Sequence, residues 1–412
     1  MNLYAMAAAA RAAAMELALA SNEQKNDCLY RIASLLEEQQ DAVLRANQID
    51  VKQAQEAGLF AAMIDRMQVT PSRLKEMQEG IAKVAMLPDP IGASLSEQTR
   101  PNGLQIKKVS VPLGVIGMIY ESRPNVTVDA AVLCIKAGNA VLLRGGKETL
   151  QTNIALAAII QQALRECQLD PNCVQLFTDP DRKYVTELMQ MHGLVDVLIP
   201  RGGAGLIRNV VENSKVPVLE TGTGNNHVYV DSSANLEMAL AIVKNAKTSR
   251  ISVCNAIESL IVHEAVTPNF LPSLLTSLQS YPMKYYGCAK TKQIISCEDA
   301  NDDLYAAEFL DYALSIKVVS QLQEAIDHIN RFGTKHSECI VSETPAHIEA
   351  FLNQVDAACV YVNASTRFSD GFEFGLGCEI GISTQKIHAR GPMGLEALTT
   401  YKYLVSGNGQ TR

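Results

Sequence analysis

Val115-Ile116-Gly117-Met118-Ile119-Tyr120, followed by Ala140-Val141-Leu142-Leu143-Arg144, is the stretch that decides the fold. Both runs are short and apolar, and Val126–Lys136 between them repeats its apolar residues at helical spacing. A buried strand, a helix long enough to cross a sheet and a second strand make a parallel βαβ unit. The alternation goes on, with strands expected at Val174–Phe177, Val195–Ile199, Val218–Leu219 and Val228–Val230. Helices are expected at Thr149–Glu166, Arg182–Met191 and Leu206–Asn213. The class is therefore α/β with a doubly wound parallel sheet, which binds ligands where its strands end and its helices begin.

Outward from this stretch, the pattern changes on both sides. Upstream, Leu3–Leu19, Asn22–Glu38, Gln39–Ala57 and Phe60–Val84 space their apolar residues by threes and fours, as helices do. The cluster Leu87-Pro88-Asp89-Pro90-Ile91-Gly92 ends them. Gln105–Val111 then alternates like a strand or hairpin, set apart as a projecting arm that pairs with another subunit would be. Downstream, a helix at Leu236–Lys247, strand Glu258–Val262, helix Pro268–Ser280, strand Tyr312–Val319 and helix Leu322–Phe332 predict a second α/β domain. Leu398–Val405 alternates and carries tyrosines, as a strand returning to the arm would. The domains are expected at 1–232, including a hairpin near 100–112, at 233–392, and at 393–412 as a C-terminal oligomerisation strand.

Composition narrows the function. The chain has 412 residues, 47% hydrophobic and 19% charged, enough for a large core. A net charge of −8 argues against broad nucleic-acid binding, which needs a basic face. Ten cysteines form no CxxC pair and seven histidines stand mostly alone, so metal-ligand spacing is absent. Thiols scattered through apolar runs suit a reducing cytoplasm. The Ala-rich start lacks a basic leader, and Arg11 and Glu16 interrupt it, so it reads as a helix of the mature protein. No apolar stretch approaches membrane-spanning length, and no membrane role is expected.

Chemistry is concentrated in a few places. Ser249-Arg250-Ile251-Ser252-Val253-Cys254-Asn255-Ala256 sets a cysteine between a helix ending near Thr248 and the apolar run Ile257–Val262. A thiol there can be a nucleophile beside oxyanion-stabilising amides, or a core side chain, as most cysteines are. Arg144-Gly145-Gly146-Lys147-Glu148 and Pro200-Arg201-Gly202-Gly203-Ala204-Gly205 each follow a strand and open a helix. Such loops let a backbone approach phosphate, or simply turn; neither matches GxGxxG. Arg144 and Lys147 can hold an extra nucleotide phosphate or lie solvated. In Leu219-Glu220-Thr221-Gly222-Thr223-Gly224-Asn225-Asn226-His227, Glu220 reads as a general base or a structural acceptor. His227 reads equally as a substrate contact or a structural hydrogen bond.

Several stretches together resemble one family. They are Val111-Pro112-Leu113-Gly114-Val115-Ile116-Gly117, Tyr120-Glu121-Ser122-Arg123-Pro124-Asn125-Val126-Thr127, Leu142–Gly146, Ile199–Gly203, Glu220–Asn225, Ser252–Ala256 and His388–Thr400. The chain resembles the γ-glutamyl phosphate reductases (glutamate-5-semialdehyde dehydrogenases) of the aldehyde dehydrogenase superfamily over essentially its whole length. The resemblance implies two Rossmann-like domains plus a small β oligomerisation arm, the first domain binding NADPH and the second carrying the nucleophile. It implies NADPH-dependent reduction of γ-glutamyl phosphate to glutamate 5-semialdehyde, in proline synthesis from glutamate. Cys254 matches the nucleophile, and its amide with the Asn125 carboxamide is the expected oxyanion hole. Glu220 aligns with a water-activating glutamate that a reductase does not need for hydrolysis. Arg144, Gly145, Gly146 and Lys147 would flank the adenosine ribose and its phosphate, and Gly202, Gly203, Ala204 and Gly205 the pyrophosphate. Glu308 would hold the nicotinamide ribose, and Arg123, Asn225 and His227 the substrate. A homo-oligomer and a functional association with glutamate 5-kinase are expected.

The sequence departs from the pattern at Asn226, where a cysteine is expected, at Ile251, where proline is usual, and at Lys147, where a small residue is common. Two rival readings stay open: NAD-dependent oxidation of another small aldehyde with thioester hydrolysis, and a non-catalytic interaction protein of the same fold.

Overall fold

The computed structural model describes Asn2–Arg412 and divides the chain into two units with their own cores. The first comprises Met1–Thr221, Gly375–Gly381 and Met393–Arg412; the second comprises Gly222–Phe374 and Ile382–Pro392.

In the first unit, Val174–Leu176, Ala140–Arg144, Val115–Tyr120 and Val197–Arg201 form a four-stranded sheet in that order, all parallel. Chain order reverses at Val115–Tyr120, so the carboxyl ends at Tyr120 and Arg201 flank a topological switch point. The N-terminal helix Leu3–Leu17 lays Leu3, Ala7, Ala10 and Ala14 against Val115, Ile119, Ala140 and Leu142 of this sheet. Alanine suits the place because its small side chain lets helix and sheet approach closely. The helix expected at Phe60–Val84 is two, Ala61–Met67 and Pro71–Met86. Proline cannot continue a helix from behind, and Thr70 caps the new one by accepting the Arg73 amide. The buried Asn47 carboxamide takes up the polar groups at the break, bonding Met67 O and the Val69 amide, each at 2.8 Å.

The arm is a separate antiparallel sheet of Ser94–Thr99, Gln105–Pro112 and Thr399–Ser406. The C-terminal strand does return to it, along the full length of Gln105–Pro112. Met393–Arg412 therefore belongs to the first unit rather than forming a division of its own. The expected strand Val218–Leu219 is only a single bridge from Val218 to Leu198.

The second unit has a seven-stranded parallel sheet, ordered Glu298–Asp299, Lys284–Gly287, Ala313–Val319, Ile257–His263, Asn226–Val230, Ser337–Val341, Cys359–Val362. Apolar side chains cover both its faces: Val228, Leu260, Leu271 and Ile316 belong to one core, Tyr229, Ile261, Ile326 and Phe351 to another. The expected boundary at residue 232 is corrected to Thr221/Gly222. Asn226–Val230 bonds Ile257–His263 on one side and Ser337–Val341 on the other, so it cannot belong to the first sheet. The second expected unit, 233–392, likewise loses Gly375–Gly381 to the first. Among the described residues, no helix is long and apolar enough to cross a membrane.

Candidate active site

In the first unit the carboxyl ends of the strands carry the loops singled out above. Glu121-Ser122-Arg123-Pro124-Asn125 leaves the central strand with Ser122 in the left-handed region, at φ 47°. Glu148 holds that turn, one carboxylate oxygen accepting both the Ser122 amide (2.9 Å) and hydroxyl (2.6 Å). Asn125 opens the helix Asn125–Lys136, is exposed, and donates from Nδ2 to Asp129 Oδ2 at 2.8 Å. Burial pushes the Asp129 carboxyl up to about 6, against hydrogen bonds from Asn125 and Cys378 and the charge of Arg201. Arg123 and Glu220 are both partly buried.

The second glycine loop meets the first carboxylate of that turn. Glu121 Oε2 accepts the Gly203 amide at 3.0 Å, at the start of the helix Ala204–Asn213. A Cβ on Gly202 would lie 2.5 Å from the same oxygen, so only glycine allows this approach. At Gly205 a Cβ would meet nothing, and Ala204 is exposed, so the turn beyond stands open. A helix N-terminus that already takes a carboxylate has the donor set an anionic pyrophosphate requires. These residues fit a nucleotide.

Arg144 departs from expectation. Its guanidinium is buried and donates to Gly145 O at 2.5 Å and Pro180 O at 2.7 Å. It braces the loop from inside, because a buried cation must find acceptors close by. Lys147 is the exposed cation of this loop. Gly145 has no room for a side chain: a Cβ would collide with Asn153 and lie 3.1 Å from Tyr120. A Cβ on Gly146 would run into the Glu148 carboxylate.

In the second unit Cys254 follows the helix Leu236–Thr248, is partly exposed, and stands at the amino ends of the strands. Its backbone is gripped from several sides. Gly224 lies so close that a Cβ there would overlap the Cys254 carbonyl. The Gly224 amide donates to Glu308 Oε1 at 2.6 Å. Asn226, fully buried, donates from Nδ2 to Cys254 O and Ala256 O, both at 2.7 Å, and accepts the Ser337 amide at 3.0 Å. One carboxamide thus ties the thiol segment to two strands. Asn255 is held by the Ser365–Asp370 loop: its Nδ2 donates to Ser369 O at 2.9 Å, and its carbonyl accepts Thr366 Oγ1 at 2.8 Å.

The same loop brings Arg367 to the segment, its Nε donating to Ser249 Oγ at 3.0 Å. Burial holds the Arg367 guanidinium below its usual range; Asp370 counters this, Arg250 adds to it, and Cys254 as a thiolate would favour the cation. Cations beside a thiol favour its reactive thiolate.

Asn225 and His227, expected to touch substrate, are interior instead. Both are fully buried. Asn225 Nδ2 donates to Tyr305 O (2.7 Å) and Phe332 O (2.9 Å), and its amide donates to Thr334 Oγ1. The His227 ring lies 2.9 Å from Glu338 Oε2, which also accepts the His227 amide at 2.7 Å. Asn225 Nδ2 and His227 Nδ1 are taken up by interior partners, so neither side chain is free to meet a substrate. Cys254, Glu308 and Gly224 are brought together, while Asn125, Glu220 and the glycine loops belong to the other unit. Residue-by-residue reading missed Asn226, Arg367, Glu121 and Glu148. The first showed only as a departure from a pattern; Glu121 and Glu148 carried the signal of acids in strand-to-helix loops.

The profile of the aldehyde dehydrogenase family matches residues 2–294. A γ-glutamyl phosphate reductase of Moorella thermoacetica is 54% identical over 404 residues, covering 98% of this chain and 97% of that one. One from Caldanaerobacter subterraneus subsp. tengcongensis is 50% identical with both chains covered in full. The crystal structure of γ-glutamyl phosphate reductase from Thermotoga maritima superposes with a TM-score of 0.97 at 44% identity, covering 100% of each chain.

Proposed function

Because the chain belongs to the aldehyde dehydrogenase family and, within it, groups with the γ-glutamyl phosphate reductases, we propose that it reduces γ-glutamyl phosphate to glutamate 5-semialdehyde with NADPH, releasing phosphate, as a step of proline synthesis. The observation that carries this reading is the grip on Cys254, a partly exposed thiol whose carbonyl is fixed by buried Asn226. The Cys254 thiolate attacks the acyl carbon, the bond to phosphate breaks, and a thioester remains. A nicotinamide nucleotide, the family's cofactor, supplies hydride to that carbonyl when bound. The tetrahedral oxyanion then collapses, releasing aldehyde and regenerating the thiolate. The Cys254 amide and the Asn125 carboxamide are assigned to the oxyanion. Asp129, which engages Asn125, orients that carboxamide.

The cofactor is assigned to the first unit: Gly202, Gly203, Ala204 and Gly205 for its pyrophosphate, Gly145, Gly146 and Lys147 for its adenosine end. Exposed Lys147 supports NADPH over NADH, since a cation favours the additional phosphate. Arg144 is assigned to hold the loop, Glu308 to the nicotinamide ribose, Arg123 to an anionic group of the substrate, and Glu220 to assisting proton transfer. Exposed Tyr401, Tyr403, Leu404 and Val405 on the arm support a homo-oligomer. Among the described residues no disulfide joins the ten cysteines, in keeping with a cytoplasmic setting. Functional association with glutamate 5-kinase follows from the lability of an acyl phosphate.

The test is steady-state NADP reduction with glutamate 5-semialdehyde, with and without inorganic phosphate. Turnover that requires phosphate supports the reading; phosphate-independent oxidation replaces it with hydrolytic aldehyde oxidation. Cys254→Ser is expected to stay folded and lose turnover at least ~1000-fold, since the nucleophile is removed.

A further inference from the structure

Two cations, Arg367 and Arg250, stand by the Cys254 segment. Arg367 is anchored at both ends of the thiol segment: its Nε donates to Ser249 Oγ at 3.0 Å, and its carbonyl accepts Asn255 Nδ2 at 3.3 Å. A guanidinium with one of its five donors on a serine hydroxyl keeps the planar fork suited to a carboxylate. Arg250, exposed on the segment itself, adds a second positive charge close enough to act on Arg367. Asp370, on the same loop as Arg367, is the acidic side chain that favours its charge. Two cations with one carboxylate beside them match a zwitterionic amino-acid head group. A phosphate dianion would be repelled by Asp370, and a simple apolar aldehyde would leave all three charges without use.

We propose that Arg367, supported by Arg250, binds the α-carboxylate of the glutamyl substrate, and that Asp370 receives its α-ammonium. The inference rests on the assignment of Cys254 as the acyl acceptor and names the feature by which the second unit selects its substrate. A short methylene chain separates the acyl carbon on sulfur from the head group. Reading the head group from the loop that also holds Asn255 therefore places the acyl carbon against the thiol.

Two measurements test it. In the first, Cys254 alkylation is followed by peptide mass spectrometry with anionic iodoacetate and neutral iodoacetamide, in the parent protein, Arg367→Gln and Arg367→Lys. The iodoacetate-to-iodoacetamide rate ratio should fall about 10-fold in Arg367→Gln and recover in part in Arg367→Lys, as expected for a charged hydrogen bond. Taking the ratio cancels any change in thiol reactivity itself. An unchanged ratio overturns the proposal, and circular dichroism establishes that each variant is folded. In the second, Arg367→Gln should raise KM for glutamate 5-semialdehyde about 10- to 100-fold and leave KM for phosphate within about 3-fold. A rise confined to phosphate, or an equal loss of turnover with butanal, which has no carboxylate, overturns it. The alkylation ratio is read without turnover, so failure of the reductase assignment and failure of this inference are seen separately.

Discussion

The two units shape the loops at the edge of a parallel sheet in opposite ways. In the first, the loops stand at the carboxyl ends of the strands and are shaped by backbone: Gly202 admits Glu121, and the Gly203 amide is turned to an anion. In the second, Cys254 stands at the amino ends and is shaped by buried side chains, Asn226 above all. Amides at a helix start accept any anion of suitable size, so the first arrangement tolerates exchange of one partner for another. A buried carboxamide with specific donors and acceptors has no such freedom, because each lost bond leaves a desolvated group behind. On the proposed assignment, the glycine loops suit an exchanging ligand, and the thiol segment is fixed.

The largest effect should come from the closest approach. Gly224→Ala puts a methyl into the Cys254 carbonyl and should cost at least ~100-fold in kcat/KM, with a lowered Tm, since small displacements of a reacting atom are costly. Near-normal turnover would erase the contrast between the units. Next, Asn226→Ala leaves the Cys254 and Ala256 carbonyls and the Ser337 amide without their partner. Urea denaturation should show a loss of about 3 kcal/mol, the order expected for several buried groups left unsatisfied. A change below ~1 kcal/mol would mean that solvent or neighbours replace the clamp easily.

Smaller effects are expected in the first unit. Glu121→Gln removes the negative charge at the start of Ala204–Asn213. Nucleotide binding, titrated by fluorescence, should tighten about 2- to 5-fold, most clearly at low salt, because a competing anion is gone. Weaker binding would show instead that Glu121 organises the loop for the cofactor. The smallest effect concerns Asp129, whose carboxyl burial raises to about 6. A raised folded-state value means that the native protein favours the proton more than the unfolded chain does. The stability so contributed is complete below the ordinary carboxyl range, near ~4, and is lost as pH rises through about 6. Tm measured from pH 4 to 7 should therefore decline more steeply in the parent than in Asp129→Asn; parallel curves would remove Asp129 from the account.

Much of this architecture could be read along the chain. Helices at Asn22–Glu38 and Leu322–Phe332 were legible to the residue, because their apolar spacing and ends coincide. Phe60–Val84 is two helices, and its stop was local, at Thr70-Pro71; only the partner that takes up the freed groups, Asn47, lies far upstream. The strands Lys284–Gly287, Ser337–Val341 and Cys359–Val362 were not foreseen. They are short runs, one of them carrying buried Ser337 and Glu338, whose burial depends on neighbouring strands. In the site, Cys254 and the glycine loops were legible as residue types at element junctions. Asn225, His227 and Arg144 were placed in the right loops and given the wrong surroundings.

Local periodicity and turn chemistry determined, from the sequence alone, that the chain makes α/β units, an antiparallel arm and a thiol between a helix and a strand. Those features depend on residues a few positions apart. Only the tertiary structure decided that Asn226–Val230 joins the second sheet, that Asn226 carries the Cys254 carbonyl, and that Arg367 reaches Ser249. The partners are set by strand order, and strand order comes from burying whole faces at once, which no short window of sequence contains.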